Sequence, residues 1–271
     1  MNMNQICLFI SLLLCGLAAN AQNKNSIIAA LKTMGNSNFI AQSYTQSLLK
    51  TKSLITTQLL KNEVVQIIFF ENGFKENDIE VDGQTLNEGG YGFTIYMKPG
   101  IKQGTYKTNA TNFNNKAVTT IDIGFSVIKK DTLLVLYNYS KAKKLLSTTN
   151  YVKSNVANTT GLESGYLHYQ VNKIILSGKW TSEQLTVSFT NDGNVFGLAD
   201  AVKYEVDLFT IRPKMLGNEK YDVITFTNNE GSKTYYLWQV KANKLMLYEQ
   251  LNKGNYVYQP GKLKFTFTIK K

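Results

Sequence analysis

Two stretches of the chain repeat each other in the same order, and this restricts the fold more than any single motif does. Moved forward by 120 positions, Val64–Gly73 (VVQIIFFENG) lies on Gln184–Gly193 (QLTVSFTNDG). Val65/Leu185, Ile67/Val187 and Phe69/Phe189 then coincide at every second residue, and Asn72-Gly73 falls on Asp192-Gly193. Moved forward by 112, Ile128–Lys141 brings Ile128/Val240, Leu133/Leu245, Val135/Leu247 and Tyr139/Leu251 together, with Lys129/Lys241 and Lys141/Lys253 identical. Apolar alternation closed by turn residues is the pattern of β-strands. Two such anchors in one order point to a duplicated β unit. The offsets differ by eight residues, so the first copy carries extra chain, and the acidic stretch Glu71–Glu88 has no counterpart in the second.

From residue 63 onward, runs of Val, Ile, Phe, Tyr and Thr are divided by turn signals such as Glu71-Asn72-Gly73, Val81-Asp82-Gly83, Lys98-Pro99-Gly100, Asn191-Asp192-Gly193 and Ala242-Asn243-Lys244. Turns at this spacing, with no long helix between them, imply antiparallel hairpins in a sandwich or an up-and-down barrel. Helical spacing is confined to residues 26–61: Ile27, Ile28 and Leu31, then Ile40, Tyr44 and Leu48, with Met34–Asn38 as the break. Thr51–Leu60 fits a first strand equally well. The Thr-, Asn- and Ser-rich stretch Thr148–Ser164 separates the copies and is the linker candidate. The expectation is mainly β: two tandem antiparallel β-barrel or sandwich domains with a short N-terminal helical segment. The boundaries are 1–21 for a signal peptide, 22–61 for the helical or first-strand segment, 62–150 for copy one, 151–165 for the linker and 166–271 for copy two.

Ile6–Leu17 is a nearly unbroken apolar run, and Ala19-Asn20-Ala21 supplies the small-x-small pattern of a signal cleavage site. The run is too short to span a bilayer. These features predict a secreted or periplasmic protein cleaved after Ala21, with no transmembrane anchor. Leu14 before Cys15 is too bulky for a good lipidation site. Both cysteines, Cys7 and Cys15, fall in the segment to be removed, so the mature chain is held by burial alone although its compartment would preserve disulfides. The net charge is +11, from 30 basic and 19 acidic residues, yet Arg212 is the only arginine. Bidentate readout of phosphate or guanine leans on arginine, so a lysine surface of this kind argues against specific nucleic-acid recognition.

Catalytic chemistry is poorly supplied. His168 is the only histidine, which with the absence of a mature cysteine excludes a Cys/His nucleophile pair and the usual histidine-rich metal sites. No Gly-x-Ser-x-Gly elbow accompanies it, and its flanks, Leu167 and Tyr169, suggest the start of a strand. Asp78-x-Glu80-x-Asp82-Gly83 opens like a calcium loop, but Gly89 stands where the closing glutamate belongs; a hairpin turning at Asp82-Gly83 is the simpler reading. Neither cofactor nor metal is expected.

Copy two resembles a bacterial lipocalin-like domain of the calycin group over residues 166–271. The matching residues are Leu176-Ser177-Gly178-Lys179-Trp180, with the Gly-x-Trp of a first barrel strand, then Thr186–Gly193, then Tyr236–Val240 and Leu245–Leu247. The resemblance implies that Trp180 plugs one end of a barrel, with Lys262 or Lys264 as the basic residue packed on it. It also implies a small-molecule carrier or an envelope accessory domain. Aromatic residues are 12% of the chain. Their ordinary role is core packing, and a barrel mouth lined by them would accept an apolar or sugar-like ligand. The expected function is therefore non-enzymatic binding of a small apolar or envelope-derived ligand through Trp180, Phe189, Tyr204, Tyr236, Trp238 and Tyr248. The alternative is a structural or adhesive envelope protein with filled barrels.

Overall fold

The structure, a computed structural model, describes residue 32 and residues 37–57, 64–85, 89–112, 115–128, 131–154, 165–208, 214–215, 221–254 and 257–270. The signal segment, the first helical pattern at Ile27–Leu31 and Arg212 lie outside the described residues.

Eight strands form a closed antiparallel barrel: β1 (Ser37–Ala41), β2 (Val64–Phe74), β3 (Asp78–Thr85), β4 (Gly89–Pro99), β5 (Thr105–Thr108), β6 (Thr120–Ile128), β7 (Asp131–Tyr139) and β8 (Leu145–Lys153), in sequence order. Alternation decides what fills it. Ile123 stands opposite Leu136 and Leu134 opposite Tyr151, and all four are almost fully buried, as are Ile67, Phe69, Ile79 and Ile95.

A second set of strands forms a nearly closed barrel: β9 (Gly178–Thr181), β10 (Thr186–Phe189), β11 (Val195–Phe196), β12 (Ala201–Val206), β13 (Lys214–Met215), β14 (Asp222–Asn228), β15 (Lys233–Lys241), β16 (Lys244–Asn252) and β17 (Val257–Ile269). The order around the sheet is β11-β10-β9-β17-β16-β15-β14-β12, with β13 lying parallel beside β17. Three helices are described: α1 (Gln42–Thr51), α2 (Leu54–Thr57) and α3 (Gly165–Ile175). The chain divides into two compact units, and the second takes in Ile40–Gln66 as well as Ser154–Lys271. Within it, α1 buries Tyr44 and Leu48, the residues its spacing singled out. The helix stops at Lys52 in the left-handed region, where the Lys52 amide still donates to Leu48 O and its ammonium donates to Ile174 O at the end of α3.

Several local expectations change. Asn72-Gly73 is not a turn: β2 runs through it, and Gly73 is needed because a Cβ there would lie 2.4 Å from Glu80 O. Asp82-Gly83 likewise sits inside β3, and the chain turns instead at Lys75–Asn77, closed by Lys75 N–H donating to Asp78 O. The equivalent Asn191–Gly193 in the second unit is a true turn, with Gly193 at φ 85°. The first strand is Ser37–Ala41, inside and beside the expected helix break, while Leu54–Thr57 within the alternative strand is helical. β8 extends to Lys153, so the first part of the Thr148–Ser164 stretch is sheet.

Candidate functional site

The strand registers place Trp180, Phe189, Tyr204, Tyr236 and Trp238 on one face of the second sheet. Val187 opposes Trp180, Tyr204 opposes Phe226, Ile224 opposes Tyr236, and Trp238 opposes Leu247. Directly opposed residues share a face, so these side chains point into the barrel. Tyr248 opposes Leu237 and lies on the other face, against the cluster of Tyr221, Val223 and Leu237; the odd-even parity of β16 separates it from the other five.

Inside, the aromatics fill the space with one another. Phe189 meets Tyr204 edge-on at 5.0 Å between centroids, and Phe226 meets Tyr236 at 5.7 Å. Trp180, Phe189, Tyr204 and Trp238 are at most 2% exposed. Two of their polar ends are already engaged: Trp180 Nε1–H donates to Leu176 O and the Tyr204 hydroxyl to Thr190 O, both at 2.6 Å. Burial, reinforced by the Asp192 charge, pushes the Tyr204 phenol far above its usual range. Lys264 is held by Glu249 at 2.6 Å, so it is not a free cap for Trp180.

The barrel wall opens where β9 ends. β17 pairs with β9 only at Thr268↔Thr181 and Ile269↔Trp180, because β9 turns back into β10 at Ser182–Leu185, where Ser182 N–H donates to Leu185 O at 2.8 Å. Beyond that hairpin lies a groove of about 520 Å³. One wall is Thr181–Leu185; the other is Lys264–Thr266 and Thr268 of β17, with Lys244 of β16 beside it. Phe265 reaches the groove from the interior face, half-buried, stacked on Phe267 at 5.7 Å and 6.3 Å from Tyr236. The arrangement offers one aromatic surface, several hydroxyls and an ammonium. A second groove, about 370 Å³, lies on the first barrel between Phe70, Glu80, Asp82 and Gly92; Glu80 there is paired with Lys75.

Two titratable groups are buried in the second unit. His168 sits on α3, not at a strand start: Leu167, Val171 and Ile175 recur at helical spacing and are all buried. Its Nε2 lies 2.8 Å from Val206 O, with Glu205 at 3.6 Å, and burial pushes its pKa down to about 4. Burial therefore keeps the imidazole neutral near pH 7. Asp222, missed from sequence, accepts hydrogen bonds from the backbone N–H groups of Leu54 at 3.0 Å and Ile55 at 2.7 Å. Burial raises its pKa to about 6 against those hydrogen bonds. Its signal was the parity of Asp222, Ile224 and Phe226, which puts a carboxyl on an apolar face.

Among the described residues no group of three or more His, Cys, Asp or Glu could hold a metal ion, and no helix is long and apolar enough to cross a membrane. No family model, curated protein or solved structure matches the chain.

Proposed function

We propose that the protein is a secreted or periplasmic, non-enzymatic binding protein whose second, lipocalin-like unit recognises an apolar, envelope-derived ligand in the groove between the β9–β10 hairpin and β17. The observation that carries this is the incomplete wall: Phe265 reaches a surface opening there, with Lys244 and the hydroxyls of Thr181, Ser182, Thr266 and Thr268 around it. Apolar contact with a few convergent polar groups is the usual make-up of a ligand site. Trp180, Phe189, Tyr204 and Trp238 are scaffold in this reading, and Tyr236 supports Phe265 from behind.

Titration with the apolar anion anilinonaphthalene sulfonate tests the site. Phe265→Ala and Lys244→Glu should each weaken binding, and Trp238→Phe should not. Equal binding by all three variants would place the ligand elsewhere. Steady turnover of an envelope polymer would remove the non-enzymatic reading.

The second reading is a structural or adhesive envelope protein with filled barrels and no small ligand. It is favoured by the near-complete burial of five large aromatic side chains, Trp180, Phe189, Tyr204, Trp238 and Phe267. Absence of binding across a broad panel of apolar ligands would support it.

A further inference from the structure

Among the described residues, the groove is bordered by a stretch of β17 edge that pairs with no other strand. β17 is 13 residues long, yet on the side away from β16 it pairs only with β13 at Val257 and Tyr258 and with β9 at Thr268 and Ile269. Among the described residues, nothing pairs with that edge from Gln259 to Phe267. The part of it that lines the groove, Lys264–Thr266, spans roughly 10 Å at about 3.3 Å per residue.

The backbone on this edge points into the groove. Ile269 N–H donates to Asn243 O on the β16 side, and Lys270 N–H donates to Lys179 O on the β9 side. Antiparallel strands alternate in this respect, so Phe267 and Phe265 are turned to β16, while Thr268 and Thr266 are turned the other way. Thr268 meets Thr181. Thr266 presents its N–H and C=O to the opening. Such an edge is a template for another strand where nothing blunts it; Pro260, Lys262 and Lys264 blunt its earlier part, Thr266 lies past them, and β13 shows that β17 accepts a parallel partner on this side.

We infer that the groove takes an extended segment of a partner polypeptide, which adds to the free edge of β17 as a further strand and carries carboxylates on its outward face. The inference rests on the binding reading above and names the class of envelope component that the groove fits. Strand addition draws affinity from main-chain hydrogen bonds and specificity from alternate side chains. Inward side chains of the segment would meet Phe265 and Leu185, the latter 36% exposed, and so would be apolar. Outward ones face Lys244, which has no carboxylate partner among the described residues, whereas Lys264 has Glu249. With a net charge of +11 on the whole chain, long-range attraction also favours an acidic segment.

The probe is a capped peptide of alternating valine and glutamate, titrated into the full chain. Thr266→Pro deletes the groove-facing N–H but none of the bonds to β16, and proline is tolerated on an edge of this orientation. Thr266→Ala removes the hydroxyl and the γ-methyl but keeps the N–H. Strand addition predicts binding to the unaltered protein and to Thr266→Ala, with slowed exchange of the Thr266 amide. It predicts binding about ten-fold weaker to Thr266→Pro, and a comparable loss when the peptide backbone is N-methylated at alternate residues, which keeps the test valid if the proline variant folds poorly. Equal binding of the N-methylated and unmodified peptides, or no binding of the peptide at all, overturns strand addition. If anilinonaphthalene sulfonate still binds in that case, the groove reading stands and only the peptide is wrong; if neither binds, both fall.

Discussion

Asp222 and His168 should pull the stability of the second unit in opposite directions on acidification, leaving a flat profile that single substitutions unmask. Burial raises Asp222 from 3.8 to about 6. Its folded state therefore prefers the neutral acid; the stability it contributes is complete below 3.8 and lost as pH rises through about 6. His168 is lowered from 6.5 to about 4. Its contribution is complete above 6.5 and lost as pH falls through about 4. At 1.36 kcal/mol per pH unit each group is worth about 3 kcal/mol in full. Between pH 7.5 and pH 4.5 the two changes are about 2 kcal/mol each and nearly cancel. Asp222→Asn also leaves the N–H of Leu54 or Ile55 without its acceptor, a pH-independent cost of about 1–3 kcal/mol. Because Asn carries no charge to bury, the variant should lose about 2 kcal/mol more than the unaltered protein on acidification from pH 7.5 to pH 4.5. His168→Gln, whose amide can still donate to Val206 O, should instead gain stability as pH falls. Urea denaturation followed by tryptophan fluorescence reads this directly, because both tryptophans, Trp180 and Trp238, belong to the second unit. A pH slope for Asp222→Asn equal to that of the unaltered protein would refute the reasoning.

Three further outcomes follow from the packing. Trp180→Ala, at a 1% exposed position, should cost about 3–5 kcal/mol by urea denaturation; a loss under about 1 kcal/mol would mean that Trp180 is not a core element. Gly73→Ala should destabilise the first barrel by more than about 1 kcal/mol, since the new methyl meets the Glu80 carbonyl at 2.4 Å; thermal melting checks it. A fragment spanning 166–271 lacks Tyr44, Leu48 and the two amides that Asp222 holds, so it should melt below the full chain's second unit and be stabilised by an added 40–66 peptide.

The β architecture was legible because period-two alternation is a direct consequence of strand geometry. The two repeated anchors fall on corresponding strands, β2 with β10 and β6–β7 with β15–β16. Register was less legible. The alignment matched Leu133 and Val135 with Leu245 and Leu247, but in β7 those two are half-buried and their neighbours Leu134 and Leu136 are the buried ones. A shift of one residue inverts the face, and continuous apolar runs such as TLLVLY hide the parity. Gly73 and Gly83 resembled turn residues, and no local rule distinguishes a turn glycine from one required by an approaching strand. For the site, five of the six named aromatics share a face. However, the groove depends on where β9 stops relative to β17, a long-range fact absent from either segment. Phe265 and Lys244 were accordingly not singled out.

In the proposed function, recognition takes place at the groove while the barrel interior serves as scaffold. Amide and indole chemical shifts, mapped during titration with anilinonaphthalene sulfonate, test it most directly. The largest shifts should fall on Thr181–Leu185, Lys244 and Lys264–Thr268, with the Trp238 indole N–H unmoved. Shifts centred on Trp238 and Tyr204, with the groove silent, would contradict it.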